Sequence, residues 1–133
     1  MAKKLLERYT ALVVDDSDTA RVIQVGILDE LGIQNVKVLT DGIQVLPYLE
    51  AGNLPSFILL DWTMREMHGI DVLKAIRNND NPEIQSIPVI MVTGETKKDN
   101  IVEAITAGTS GYVTKPFTGE TLEAGIKKAL KIT

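Results

Sequence analysis

The apolar positions of the chain fall into two alternating patterns. Short apolar runs occur at Ala11–Val14, Val36–Leu39, Phe57–Leu60, Val89–Val92 and around Tyr112-Val113. A run without polar alternation predicts a strand buried on both faces, as in a parallel sheet. Between the runs, apolar residues recur at helical spacing. Ile23, Ile27, Leu28 and Leu31 share a face after Ser17 and Asp18, with Gly32 as a stop. Ile70, Leu73 and Ile76 follow Gly69; Ile101, Ala104 and Ile105 follow Thr96 and end at Gly108; Leu122, Ile126, Ala129 and Leu130 follow Thr118. A further helix near Ile43–Glu50 contains Pro47, which predicts a kink or a late start. About five strands alternating with about five helices predict right-handed βαβ units: an α/β fold whose parallel sheet is covered on both sides, three layers in all.

Breaker clusters at Asn53-Leu54-Pro55 and from Asn78 to Pro82 predict loops. Lys37 within Val36-Lys37-Val38 places that strand at a sheet edge, where a charge discourages intermolecular pairing. Gly125 inside the last helix costs about 1 kcal/mol relative to Ala, and the sequence offers no reason for it.

Composition narrows the function classes. A length of 133 residues predicts one domain, 1–133, with a core over about 9–131 and no output domain. Zero Cys excludes disulfides, thiol catalysis and Cys-ligated metals, and fits a cytoplasmic location. The net charge of −4 argues against nucleic-acid binding. The start, Met1 to Leu6, is too short in apolar residues for a signal peptide, and no run approaches the roughly 20 residues that span a bilayer.

Candidate chemistry gathers at the carboxyl ends of the predicted strands, which lie on one edge of a parallel sheet. The first strand delivers Asp15 and Asp16, the third Asp61, the fourth Thr93, and the fifth Lys115. Taken singly, Asp61 reads as a loop starter and Asp15-Asp16 as the acidic start of a helix. Taken together, three carboxylates repel one another, and one Lys cannot neutralise them. A hard divalent cation such as Mg²⁺ can, since it prefers oxygen ligands. The single His, His68, makes no zinc site and reads as a solvated loop residue. Lys115 and Thr93 remain as donors for an arriving oxyanion such as a phosphoryl group, and a carboxylate can itself form an aspartyl phosphate.

Four segments carry a resemblance: Val13-Val14-Asp15-Asp16-Ser17, Leu60-Asp61-Trp62-Thr63-Met64, Met91-Val92-Thr93-Gly94-Glu95, and Ser110-Gly111-Tyr112-Val113-Thr114-Lys115-Pro116-Phe117. Their order and spacing resemble the response-regulator receiver domains, and among these the single-domain chemotaxis regulators. The resemblance implies a flavodoxin-like sheet of order 2-1-3-4-5, as in the chemotaxis member that serves as a standard example of that order. It implies Asp61 as phosphoacceptor, and Mg²⁺ held by Asp16, Asp61 and the backbone carbonyl of Thr63, with Asp15 reaching it directly or through water. Lys115 would pair with a phosphoryl oxygen. Thr93 and Tyr112 would be the switch pair, changing the face made by the fourth predicted helix, the fifth strand and the last helix. The implied partners are a histidine kinase as phosphodonor, a target such as the flagellar motor switch, and a phosphatase. No enzymatic turnover is implied beyond phosphotransfer and dephosphorylation at its own Asp.

The sequence departs from the family pattern in one loop. Met64 is followed by Arg65 where Pro is usual, which predicts a less constrained loop. Thr63 and Glu95 occupy positions that tune dephosphorylation in the family, and Gly94 leaves room beside the site. Trp62 is expected to be partly exposed. The competing functions are a phosphorelay intermediate or phosphate sink, a phosphohydrolase with an aspartyl nucleophile at Asp16-Ser17-Asp18, and a flavin binder. The last lacks a phosphate-binding loop rich in Ser, Thr and Gly.

Overall fold

The structure, a computed structural model, describes residues 6–132. Of the stretch Met1 to Leu6, read above as too short for a signal peptide, residues 1–5 lie outside them. Strands β1 (Thr10–Val14), β2 (Asn35–Leu39), β3 (Phe57–Leu60), β4 (Val89–Thr93) and β5 (Gly111–Thr114) form one all-parallel sheet of order 2-1-3-4-5. The helices are α1 (Asp18–Glu30), α2 (Val45–Glu50), α3 (Gly69–Arg77), α4 (Pro82–Gln85), α5 (Lys98–Ala107) and α6 (Gly119–Leu130). All five predicted strands are present, and β2 carries Lys37 at the sheet edge as expected.

Alternate residues of the central strands face opposite layers, as the two-residue period of a strand requires. Leu12, Val14, Ile58, Leu60, Val89 and Met91 pack with Leu49 of α2, Leu73 and Ile76 of α3, and Ala104 of α5. Ala11, Val13, Phe57, Leu59, Ile90 and Val92 pack with Leu28 of α1 and Leu122 and Ile126 of α6. Burying each of these large side chains stabilises the fold by about 1.5–3 kcal/mol. That energy fixes the sheet, and the sheet fixes the site at its edge.

Helix ends follow local chemistry. Ser17 caps α1 by accepting from Ala20 N–H, and Thr118 caps α6 by accepting from Thr121 N–H. Gly108 ends α5 in the left-handed conformation. Pro47 does produce a late start. A 3₁₀ turn at Gly42–Gln44 precedes α2, so the proline falls in the first turn of the α-helix, where its missing N–H is harmless.

Three expectations are corrected. Among the described residues six α-helices form rather than about five, because the breaker cluster ending at Pro82 also starts a helix: Asn81 caps α4 and Pro82 opens it. In α1, Ile23 is 49% exposed and Gln24 is buried at 1%, so the inward stripe is rotated from the densest apolar positions. In α5, Ile105 is 63% exposed and only Ala104 of the predicted stripe is fully buried.

Gly125 now has a reason. A Cβ there would lie 2.8 Å from Val113 Cγ2, where α6 crosses β5. The β-branched Val113 cannot easily rotate away. Gly125→Ala is therefore expected to lose on the order of 1 kcal/mol, since overpacking of about 1–3 kcal/mol exceeds the gain of about 1 kcal/mol in helix propensity. Urea denaturation measures this; a more stable variant would show that the contact relaxes.

Candidate functional site

The sheet ladder continues one rung into the site. Asp15 N–H donates to Leu39 C=O at 3.2 Å, Asp61 N–H to Val14 C=O at 3.0 Å, and Lys115 N–H to Thr93 C=O at 2.9 Å. Three of the predicted residues are thus pinned through their own backbones to neighbouring strands. The register pairs Val14 with Leu60, so Asp15 and Asp61 stand side by side one step beyond it.

The side chains converge. Asp15, Asp16 and Asp61 each offer an oxygen lying within 4.8 Å of the other two. Asp15 and Asp61 are buried, and Asp16 is exposed at the mouth. Lys115 Nζ lies 2.7 Å from Asp15 Oδ2 and 3.4 Å from Asp61 Oδ2. The Lys115–Pro116 peptide is cis. Asp61 Oδ1 accepts from Trp62 N–H at 2.8 Å. Trp62 is half-buried beside it, as expected.

Burial holds the Asp61 carboxyl above its ordinary pKa, and the charge of Asp15 adds to the effect; Lys115 and the Trp62 N–H offset it only in part. Burial also works against the Lys115 ammonium. Its hydrogen bond to Asp15 and the charges of Asp61 and Asp15 outweigh that, and its pKa is raised. The cluster is therefore short of positive charge. Its donor set is all hard oxygen, and Mg²⁺ at about 2.1 Å from each ligand separates opposite oxygens by about 4.2 Å. The 4.8 Å limit on the carboxylate oxygens is close to that span. The residues present fit the ion. Thr63 lies exposed two positions past Asp61, and its carbonyl accepts no hydrogen bond among the described residues, which leaves it free as a further ligand.

Thr93 is buried, and its Oγ1 accepts from Glu95 N–H at 3.2 Å. Tyr112 is half-buried and donates to the Glu95 carbonyl at 2.6 Å. Burial and the Glu95 charge raise the Tyr112 pKa. Both candidate switch residues thus hold the backbone of one residue, Glu95. His68 is exposed at the start of α3, with Nδ1 accepting from Met64 N–H at 3.3 Å. Asp18 of the alternative nucleophile motif lies outside the acidic cluster, highly exposed and paired with Arg21.

Sequence reasoning missed three contributors. Arg21 Nη1 donates to the Asp15 carbonyl at 2.7 Å, tying α1 to the end of β1. Gln24 reaches Asp15 from inside α1. Asp41 reaches the loop in which Arg65 stands where Pro is usual. Its carboxylate accepts from Glu66 N–H at 3.0 Å and Met67 N–H at 3.1 Å, as well as from Ile43 N–H in its own turn. These bonds hold the loop after Asp61 without a proline. Burial would raise the Asp41 pKa, but the N–H groups of Glu66, Ile43, Met67 and Arg65 together lower it. Its stabilisation is therefore full above pH 3.8 and lost as pH falls through the depressed folded-state value. Asp41→Ala is expected to cost about 2 kcal/mol at neutral pH, from a lost cap and loop bonds, with a smaller penalty in acid. Thermal melts across that range measure it.

Comparison with known proteins agrees with this geometry. The family described as response regulator receiver domain matches residues 11–127. The chemotaxis protein CheY of Pseudomonas aeruginosa is 44% identical over 117 residues, 88% of this chain and 92% of that protein. CheY-3 of Vibrio cholerae is 43% identical over 117 residues, 88% of each. Among solved structures, CheY4 of Vibrio cholerae superposes with a TM-score of 0.81 at 28% identity, covering 91% of this chain and 98% of that one. With the sheet order, the acidic cluster and Lys115 in place, the chain belongs to the response regulator receiver domains.

Proposed function

We propose that this chain is a phosphorylation-switched signalling module of a two-component system, with Asp61 as phosphoacceptor. The observation that carries the reading is the gathering of Asp15, Asp16 and Asp61 around one point, with Lys115 as the adjacent cation. Asp15, Asp16, Asp61 and the Thr63 carbonyl would hold Mg²⁺, which when bound supplies charge neutralisation for the carboxylates and the incoming phosphoryl oxygens. In the transfer, an Asp61 carboxylate oxygen forms a bond to phosphorus as the bond from phosphorus to the donor's imidazole nitrogen breaks. The imidazole leaves with the electron pair. Lys115, already 3.4 Å from Asp61 Oδ2, pairs with a phosphoryl oxygen.

Thr93 then turns its hydroxyl to another phosphoryl oxygen and releases Glu95 N–H. Tyr112, tethered to the same residue's carbonyl, responds, and the face of α5, β5 and α6 changes. A charge-assisted bond contributes about 1.5–3 kcal/mol, enough for a bias of about tenfold or more. Full switching takes about 5.5 kcal/mol, so Lys115, the metal and the target must contribute the remainder. The donor is a histidine kinase. The relatives are chemotaxis proteins, which supports the flagellar motor switch, in the cytoplasm, as the target; a phosphatase would end the signal.

The test is binding of a motor-switch peptide to the protein with and without Mg²⁺ and beryllofluoride. Affinity should rise about tenfold or more with the phosphoryl mimic. Equal affinity in both states would leave the phosphate-sink or phosphorelay variant.

A further inference from the structure

Gln24 is a long amide at the centre of α1 and 1% exposed. Burying an amide is unfavourable unless it is hydrogen-bonded, so its partners identify what it is for. Nε2 lies 3.3 Å from Asp15 Oδ2 and 3.1 Å from the Ala20 carbonyl. Both partners are acceptors, which fixes the amide with its nitrogen toward Asp15. The rotation of α1 that leaves Ile23 exposed is the rotation that brings Gln24 to the site.

Asp15 is held at both oxygens. Oδ1 accepts from Ser17 N–H at 2.9 Å, and Oδ2 accepts from both Lys115 at 2.7 Å and Gln24. On the function proposed above, on which this inference rests, Lys115 turns to the phosphoryl group. A buried carboxylate oxygen left without a donor is strongly unfavourable, and Asp15 would turn away from the metal side of the cleft. Gln24 is the donor that stays.

We propose that Gln24 is a positioning residue for Asp15, keeping that carboxylate aimed into the metal cleft through its Nε2 hydrogen bond to Oδ2. It touches neither metal nor phosphoryl group. Groups that orient a metal ligand in this way typically change metal affinity by 10–100-fold when removed.

The experiment is Mg²⁺ titration by calorimetry of the parent and Gln24→Met, a variant of similar length with no donor, in beryllofluoride, a phosphoryl mimic that draws Lys115 away from Asp15, beside thermal melts of both in metal-free buffer. We expect Mg²⁺ affinity to fall about tenfold in Gln24→Met while the melting temperature changes little. Unchanged affinity, or a lowered melting temperature with unchanged affinity, would overturn the positioning role and leave a packing residue. A parent that binds no Mg²⁺ would overturn the functional reading itself, an outcome distinct from the first. A second measurement needs no variant: the Gln24 side-chain amide protons of the metal-free parent, followed by NMR. Slowed exchange and a shift on Mg²⁺ addition support the bond to Asp15; exchange like that of a free glutamine overturns it.

Discussion

Asp61→Asn is expected to abolish phosphoryl acceptance and to raise the melting temperature of the metal-free protein. Loss of the acceptor follows because an amide oxygen is too weak a nucleophile to form the acyl phosphate. The gain in stability follows from electrostatics. The Asp61 pKa is raised above 3.8, chiefly by burial and then by the Asp15 charge. Between 3.8 and the raised value, the native state binds more protons than the unfolded chain. Stability therefore falls as pH rises through that window, and the deficit is complete above the folded-state pKa. Asn carries no charge, can still accept from Trp62 N–H in place of Oδ1, and escapes the deficit. The gain should be largest at neutral pH and shrink as pH falls toward 3.8. Saturating Mg²⁺ should reverse the order, since binding to the native state stabilises the parent by mass action and the variant has lost a ligand. Thermal melts with and without Mg²⁺ at two pH values read all of this.

Gly69→Ala is expected to be the most destabilising single methyl group in the chain. A Cβ on Gly69 would stand 2.0 Å from the carbonyl oxygen of Asp61, with the Asp61 carbonyl carbon at 2.9 Å. The obstacle is backbone, so no side chain can swing aside. Gly69 N–H donates to the Trp62 carbonyl at 2.7 Å, which closes the loop that carries Thr63. From the opposite side, Gly42 makes the same kind of close approach to this loop: a Cβ there would be 2.3 Å from the Met67 carbonyl. Relief of the clash must move α3 or the end of β3, and either displaces Asp61. We expect a loss of about 3 kcal/mol, at the upper end of overpacking, equivalent to a fall of roughly 10 °C in melting temperature. Phosphorylation should slow as well, because the acceptor shifts against the sheet-held Asp15 and Lys115. A variant as stable as the parent would mean the loop is far softer than its hydrogen bonds indicate.

The sheet and most of the acidic site were legible because they rest on contiguous patterns. Phe57–Leu60 has no polar interruption, so β3 and the placement of Asp61 at its end follow from local sequence. Lys115 and Thr93 came from the same argument applied to other strands, and the family pattern then assigned their roles. What escaped depends on partners distant in sequence. Asp41 reaches Glu66 and Met67 across 25 and 26 positions, and nothing near Asp41 announces it. Gly125 is explained only by Val113 on the neighbouring strand. The stripe of α1 misled for another reason. Hydropathy ranks Ile23 above Gln24, but a helix beside a charged site turns a polar residue inward. The spacing Ala20, Gln24, Leu28, Leu31 carried that information, and a scan for the best apolar face discards it.

One experiment bears most directly on the central claim, that Asp61 is esterified at a site its neighbouring acids share with a divalent cation. The protein is mixed with a small acyl phosphate, in Mg²⁺ or in chelator, and its intact mass is read. A gain of one phosphoryl group in Mg²⁺, mapped to Asp61 and absent in chelator, is the predicted result. An unchanged mass in Mg²⁺, or a phosphoryl group carried on any other residue, would contradict it.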